Sequence, residues 1–111
     1  MALTAAGLIE PARRAFEWCR CQQRADGSWP IQLRAGVVED ANSDSNFCAY
    51  VAVGVWHHVL VTGDRAFAAS MWPTVRAAID FVLELQLAGG EICWARSPSG
   101  PLTEALLTGC A

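Results

Sequence analysis

Apolar positions recur at helical spacing in three stretches of this chain. From Pro11, "PARRAFEWCRCQQ" aligns Ala12, Ala15, Phe16, Cys19 and Gln23 on one face and predicts a helix over 11–23. Pro11 suits its first position, where a missing N–H leaves no bond unmade. Asp26-Gly27 breaks the pattern, and 24–44 reads as a long connection with extended pieces at 29–33 and 36–38. Ser43, Asp44 and Ser45 are N-cap candidates for a second helix over 45–61. Its apolar residues cover every face: Phe47, Tyr50, Val51, Val55 and Val59 on one side, Cys48, Ala52, Val53, Trp56 and Leu60 on the others. Such a helix is ordinarily enclosed by neighbours. Gly63 ends it, and Asp64 caps a short segment over 64–71. Pro73 then begins a third helix over 73–86, with Val75, Ile79, Val82 and Gln86 in a stripe. Gly89-Gly90 stops that helix, "EICWA" reads as a short strand, "SPSGP" as a turn, and "TEALLTGCA" as the opening of a fourth helix. The expected class is all-α: antiparallel helical hairpins in one partial domain over 1–111.

The first and third helix ends share a pattern. One reads Gln23-x-x-x-Gly27-x-Trp29; the other reads Gln86-x-x-x-Gly90-x-Ile92, with Trp94 close behind. In both, a helix ends, a glycine turns the chain and an apolar segment folds over the end, as in a helical-hairpin repeat. Antiparallel helices then put the two long connections, 24–44 and 88–103, on one rim of the molecule.

Composition narrows the function classes. Hydrophobic residues make up 53% and charged residues 17%, which excludes a disordered chain. All eight basic residues are arginines, scattered along a chain of net charge -3, which argues against nucleic-acid binding. The uncharged run Phe47 to Thr62 falls short of the ~20 apolar residues a membrane helix needs. Five cysteines, an odd number with no C-x-x-C pair, read as reduced thiols of a cytoplasmic protein. With His57 and His58 they lack zinc-finger spacing, so no metal and no cofactor is expected.

Candidate chemistry lies on the shared rim. Glu39, Asp40 and Asp44 fall within "VEDANSDSN", where they serve as turn and cap residues, as ligands for substrate hydroxyls, or as one carboxylate of an acid/base pair. Glu91, in "GGEICWAR", is the leading candidate for a catalytic carboxylate; its structural alternative is an ion pair with Arg96, which is itself a candidate substrate-binding residue on the same connection. Trp29 and Trp94 suit stacking on a sugar ring, or cation–π contact with a carbocation, where they are not simply loop covers. His57 and His58 fall inside the apolar helix, and one of them is expected to be a core residue.

"TGDRAFAASMWPTVRAAIDFVLELQ" resembles a hairpin of the six-hairpin, glucoamylase-like glycosidases, in which T-G-D, an aromatic, W-P and an apolar helix occur in this order. "QQRADGSW" resembles the Q-x-x-x-G-x-W repeat of terpenoid cyclases and, loosely, of prenyltransferases. "SDSNFCAYVAVGVWHH" and "GGEICWAR" are similar to segments of prenyltransferase-like bacterial proteins. The resemblance implies a partial (α/α) toroid from about Phe16 onward, of which this chain holds three helices and the start of a fourth. The cyclases' Asp-x-Asp-Asp motif is absent, and so is a recognisable Asp/Cys/His zinc set. Glucoamylase-like enzymes use two glutamates on distal loops that would lie beyond residue 111. The resemblance therefore implies a glycosidase fragment acting on an oligosaccharide. The alternatives are isoprenoid-diphosphate chemistry and a non-catalytic binding module or inactive truncated remnant. A piece of this kind is expected to be inactive alone and to self-associate through exposed apolar helix faces.

Overall fold

The computed structural model describes residues 1–102, and the helix expected over 103–111 lies outside the described residues. A short helix α1 (Ala2–Ala5) precedes α2 (Ile9–Gln22). Strands β1 (Gln32–Arg34), β2 (Val37–Asp40) and β3 (Ser43–Asp44) follow, then α3 (Ser45–Thr62), α4 (Arg65–Glu84), β4 (Ala95–Ser97) and β5 (Gly100–Pro101). The all-α expectation is thereby corrected. The chain is mixed α and β, with two antiparallel sheets, β1–β2 and β3–β4–β5. The reason lies in the connections: their backbone N–H and C=O groups have no helix to satisfy them, so they pair with one another.

The first connection folds back as a hairpin. Ala35 (φ 49°) and Gly36 (φ 80°) form a two-residue turn with positive φ at both positions, the geometry that matches strand twist. Register runs Arg34↔Val37, Leu33↔Val38 and Gln32↔Asp40, with an irregularity between Gln32 and Leu33. The second sheet joins the two long connections. Ser43 pairs with Arg96 and Asp44 with Ala95, so both connections do meet on one rim. The strand expected at "EICWA" falls later, over Ala95–Ser97; Ile92 makes only an isolated bridge to Gln86.

Helix α3 begins where Asp44 accepts the amides of Asn46 and Phe47 (2.7 and 3.2 Å) and ends at Gly63 in the left-handed conformation. Asp64 caps α4 through the Phe67 amide, and it also pairs with Arg13 of α2. Instead of a short segment and a helix starting at Pro73, α4 is one continuous helix with Pro73 inside it. An interior proline costs about 3 kcal/mol in propensity. Met71, Thr74 and Val75, buried on either side of it, hold both halves against the core.

Two apolar clusters form that core. Val55, Phe67, Met71 and Val75 join α3 to α4, with Phe16 of α2 packed against them. Nearer the rim, Cys48, Phe81, Val82, Leu85 and Cys93 are sealed by Trp29, Leu87 and Ile92. Close approaches fix α2 and the turn after it: a Cβ on Gly54 would lie 3.3 Å from the Phe16 ring of α2, and one on Gly27 in the turn would overlap the Ala77 carbonyl of α4. Among the described residues no helix is long and apolar enough to cross a membrane.

Candidate functional site

The repeat seen in sequence is a repeated turn. Gln23 donates its side-chain amide to the Gly27 carbonyl (2.9 Å), and Gln86 donates to the Gly90 carbonyl (3.0 Å). The backbone copies itself as well: Gly27 bonds Arg24 and Gly90 bonds Leu87, each at 2.9 Å. Both glycines have positive φ, 86° and 98°. The copies differ in depth. Gln23 also donates to the Thr74 carbonyl (2.9 Å), tying the first turn to α4, whereas the Gln86 turn is exposed.

These two turns launch the connections that build the rim, and the sequence-predicted residues divide there. Asp44 is buried in its capping role, opposite Ala95 in the ladder. Trp94 accepts from the Ser45 amide and hydroxyl through its carbonyl (2.8 and 2.9 Å) and is itself 46% exposed. Arg96 pairs with Glu84 at 3.5 Å rather than with Glu91, and lies 5.9 Å from the centre of the Phe81 ring. Glu91 is exposed in the second turn, with its carboxylate over Gly89. Trp29 sits lower, its indole N–H on the Cys19 carbonyl (2.7 Å), and packs on the rim cluster. Glu39 and Asp40 stay on the outer hairpin: Glu39 pairs with Arg34 (3.0 Å) and Asp40 accepts the Asn42 amide (2.9 Å). Three carboxylates close in sequence are thus held in three separate contacts. Among the described residues no group of three His, Cys, Asp or Glu side chains is placed to hold a metal ion.

Two neighbourhoods gather the candidates Arg96 and Trp29 with residues the sequence reading did not connect to them. The first is polar. A cleft of about 190 Å³ lies between the connections, lined by Arg24, Asp26, Ser43, Arg96 and Ser97. Arg24 donates to the Ala41 carbonyl (2.9 Å) and the Ser43 hydroxyl (3.1 Å), and Ser43 donates to Ser28 (3.0 Å). Asp26 accepts the Ser28 amide and hydroxyl at 3.0 and 2.7 Å. Partial burial works to raise the Asp26 pKa. The Ser28 hydrogen bonds and the charges of Arg96 and Arg24 outweigh it, leaving the carboxyl below its usual range. The Asp-x-Ser turn was legible as local chemistry; Arg24 reaching across to residues 41 and 43 was not.

The second neighbourhood is aromatic. A groove of about 590 Å³ runs between α2 and α3, walled by Phe16, Trp18, Trp29, Phe47 and Tyr50. Trp94 is not among the residues lining it, so the two rim tryptophans do not form one face there.

Deeper still, His58 is the core histidine: it is wholly buried, with Nδ1 3.0 Å from the Thr4 hydroxyl. The Phe16 and Phe67 rings lie 5.6 and 4.4 Å from its own, and Nε2 has no partner among the described residues. Burial first, then the charges of Arg13, His57 and the N-terminus, push its pKa down. Burial also pushes the Cys48 thiol up to about 11, which makes it an unreactive packing residue.

No family model matches this chain. Over all 111 residues it is 78% identical to MMP endo-(1,4)-3-O-methyl-alpha-D-mannosidase of Mycolicibacterium hassiacum. The chain spans 31% of that protein's length. It is therefore similar, along its whole extent, to about a third of a mannosidase.

Proposed function

We propose that this chain forms part of a carbohydrate-active enzyme that hydrolyses (1,4) linkages between 3-O-methylated α-mannose units. One observation carries the reading: 78% identity to such a mannosidase across every residue of the chain. Glycoside hydrolysis needs a carboxylic acid to protonate the leaving oxygen and a second carboxylate to activate water or attack the sugar. Glu91, exposed on the rim turn and without an ion pair among the described residues, supplies one such carboxylate. Asp44 spends Oδ1 on the helix cap, leaving Oδ2 to accept from a sugar hydroxyl. The exposed Trp94 offers a stacking platform on the same rim.

The purified protein that carries this chain is expected to shorten an α-(1,4)-linked 3-O-methylmannose oligosaccharide, read by mass spectrometry. Glu91→Gln should lower kcat by roughly 100-fold or more, the usual worth of a general acid or base. Asp44→Asn preserves the cap, since asparagine caps as well as aspartate. It should therefore leave the thermal midpoint in place while raising KM. An unaltered kcat in Glu91→Gln removes that residue from the mechanism. Failure of the unaltered protein to cleave the oligosaccharide removes the substrate assignment.

A further inference from the structure

The cleft between the two connections brings two guanidiniums to one carboxylate among its lining residues. Arg24 and Arg96 enter it from separate segments, and the carboxylate is that of Asp26. Asp26 is already committed to Ser28, and Glu84 meets Arg96 at 3.5 Å on an exposed side chain. No carboxylate of the described residues forms an ion pair with Arg24. Its guanidinium is oriented by a carbonyl and a hydroxyl, two neutral acceptors that fix the fork without cancelling its charge. The antiparallel pair Ser43↔Arg96 brings the second arginine beside the Ser43 that Arg24 holds.

We infer that this cleft is a binding site for a small oxyanion, a carboxylate or phosphate group, clamped between Arg24 and Arg96. Among the lining residues two guanidiniums face one carboxylate that Ser28 already engages, and Glu84 meets Arg96 only through a solvent-exposed 3.5 Å contact, which water screens. Planar N–H forks match the paired oxygens of such a group. At about 190 Å³ the space admits a single anionic group with a small body attached. The anion is either free or carried on a sugar, and the chemistry that recognises it is the same. This goes beyond the proposed hydrolysis, because neither Glu91 nor Asp44 takes part and the mannosidase reading could fail without affecting it.

The test is a titration of the full protein with inorganic phosphate at low ionic strength, followed by the NMR signals of the arginine side chains and of the Ser43 and Arg96 amides. Saturable shifts confined to this cleft are expected. Arg24→Gln and Arg96→Gln should each weaken binding roughly 10-fold or more, the worth of a charge-assisted hydrogen bond. Arg34→Gln, on the outer hairpin, should leave it unchanged. Arg96→Gln keeps the test decisive if loss of the Arg24 ties disturbs the loop. Mannose 6-phosphate and methyl α-mannoside form two further arms. Tighter binding of the sugar phosphate than of phosphate supports an anion carried on a sugar; equal binding supports a free anion. Methyl α-mannoside binding where phosphate does not would overturn the proposal, as would non-saturable shifts or equal weakening by Arg34→Gln.

Discussion

Single residues in the two repeated turns carry different loads, because the same local geometry meets different surroundings. Gly27 and Gly90 both need positive φ, which costs any other L-residue about 1–2 kcal/mol. Only Gly27 faces a backbone wall: a Cβ there would overlap the Ala77 carbonyl, whereas nothing lies within 4 Å of the Gly90 position. Gly90→Ala is expected to cost about 1 kcal/mol, the strain alone, and Gly27→Ala at least twice that, as the turn after α2 is pushed off α4. Urea unfolding of the two variants measures the difference; equal losses would mean that the close approach is not rigid. The glutamines should follow suit. Gln23→Ala loses two bonds to main-chain carbonyls and leaves the half-buried Thr74 tie unmade, costing about 2 kcal/mol; Gln86→Ala, exposed, should cost less than about 1.

Elements respond to what holds them together. Helix α4 keeps Pro73 on its exposed side at the loss of one backbone hydrogen bond. Pro73→Ala is therefore expected to raise the thermal midpoint, with a gain of about 1–3 kcal/mol, part of the interior-proline cost. A drop would mean that the proline shapes a bend the core requires. Helix α1 is held to α3 through Thr4 and His58. The His58 pKa lies below its unfolded value near 6.5, so the unfolded chain binds more protons as the pH falls. That contribution to stability is complete above about pH 6.5 and is lost as the pH falls through the lower folded value. The facing charges on α2, α3 and the terminus, Arg13, His57 and the N-terminal amine, act in the same direction. Unfolding free energy should decline between neutral and mildly acidic pH, and His58→Phe should flatten that slope; an unchanged slope would assign it to other groups.

At the scale of the whole molecule, α3 leaves Phe47, Tyr50, Val53, Trp56, Leu60 and Val61 exposed. A contiguous apolar surface of this kind marks an association site. The chain by itself is expected to self-associate, with a sedimentation coefficient that rises with concentration, and Trp56→Glu with Leu60→Glu should suppress the rise. A single monomeric species throughout a broad concentration series would show that the face tolerates water.

Local chemistry was sufficient for the caps, the glycine stops and the recurring glutamine turns, because each is completed by residues within a few positions of one another. Asp44, Gly63 and Asp64 do in the fold what their spacing announced. Periodicity also identified α3 as a helix apolar on every side. What sequence alone left open were the pairings made across long separations. The β3–β4 ladder joins segments that no local pattern links, and it turned an expected all-α chain into a mixed one. Pro73 reads locally as a helix start, yet burial of Met71, Thr74 and Val75 carries the helix through it. The rim carboxylates look like one cluster in "VEDANSDSN", but the hairpin turn at Ala35-Gly36 and the cap at Asp44 distribute them. Arg24 and Arg96 meet in one cleft because two connections are paired edge to edge, a contact decided by backbone hydrogen bonds that only the folded chain can form.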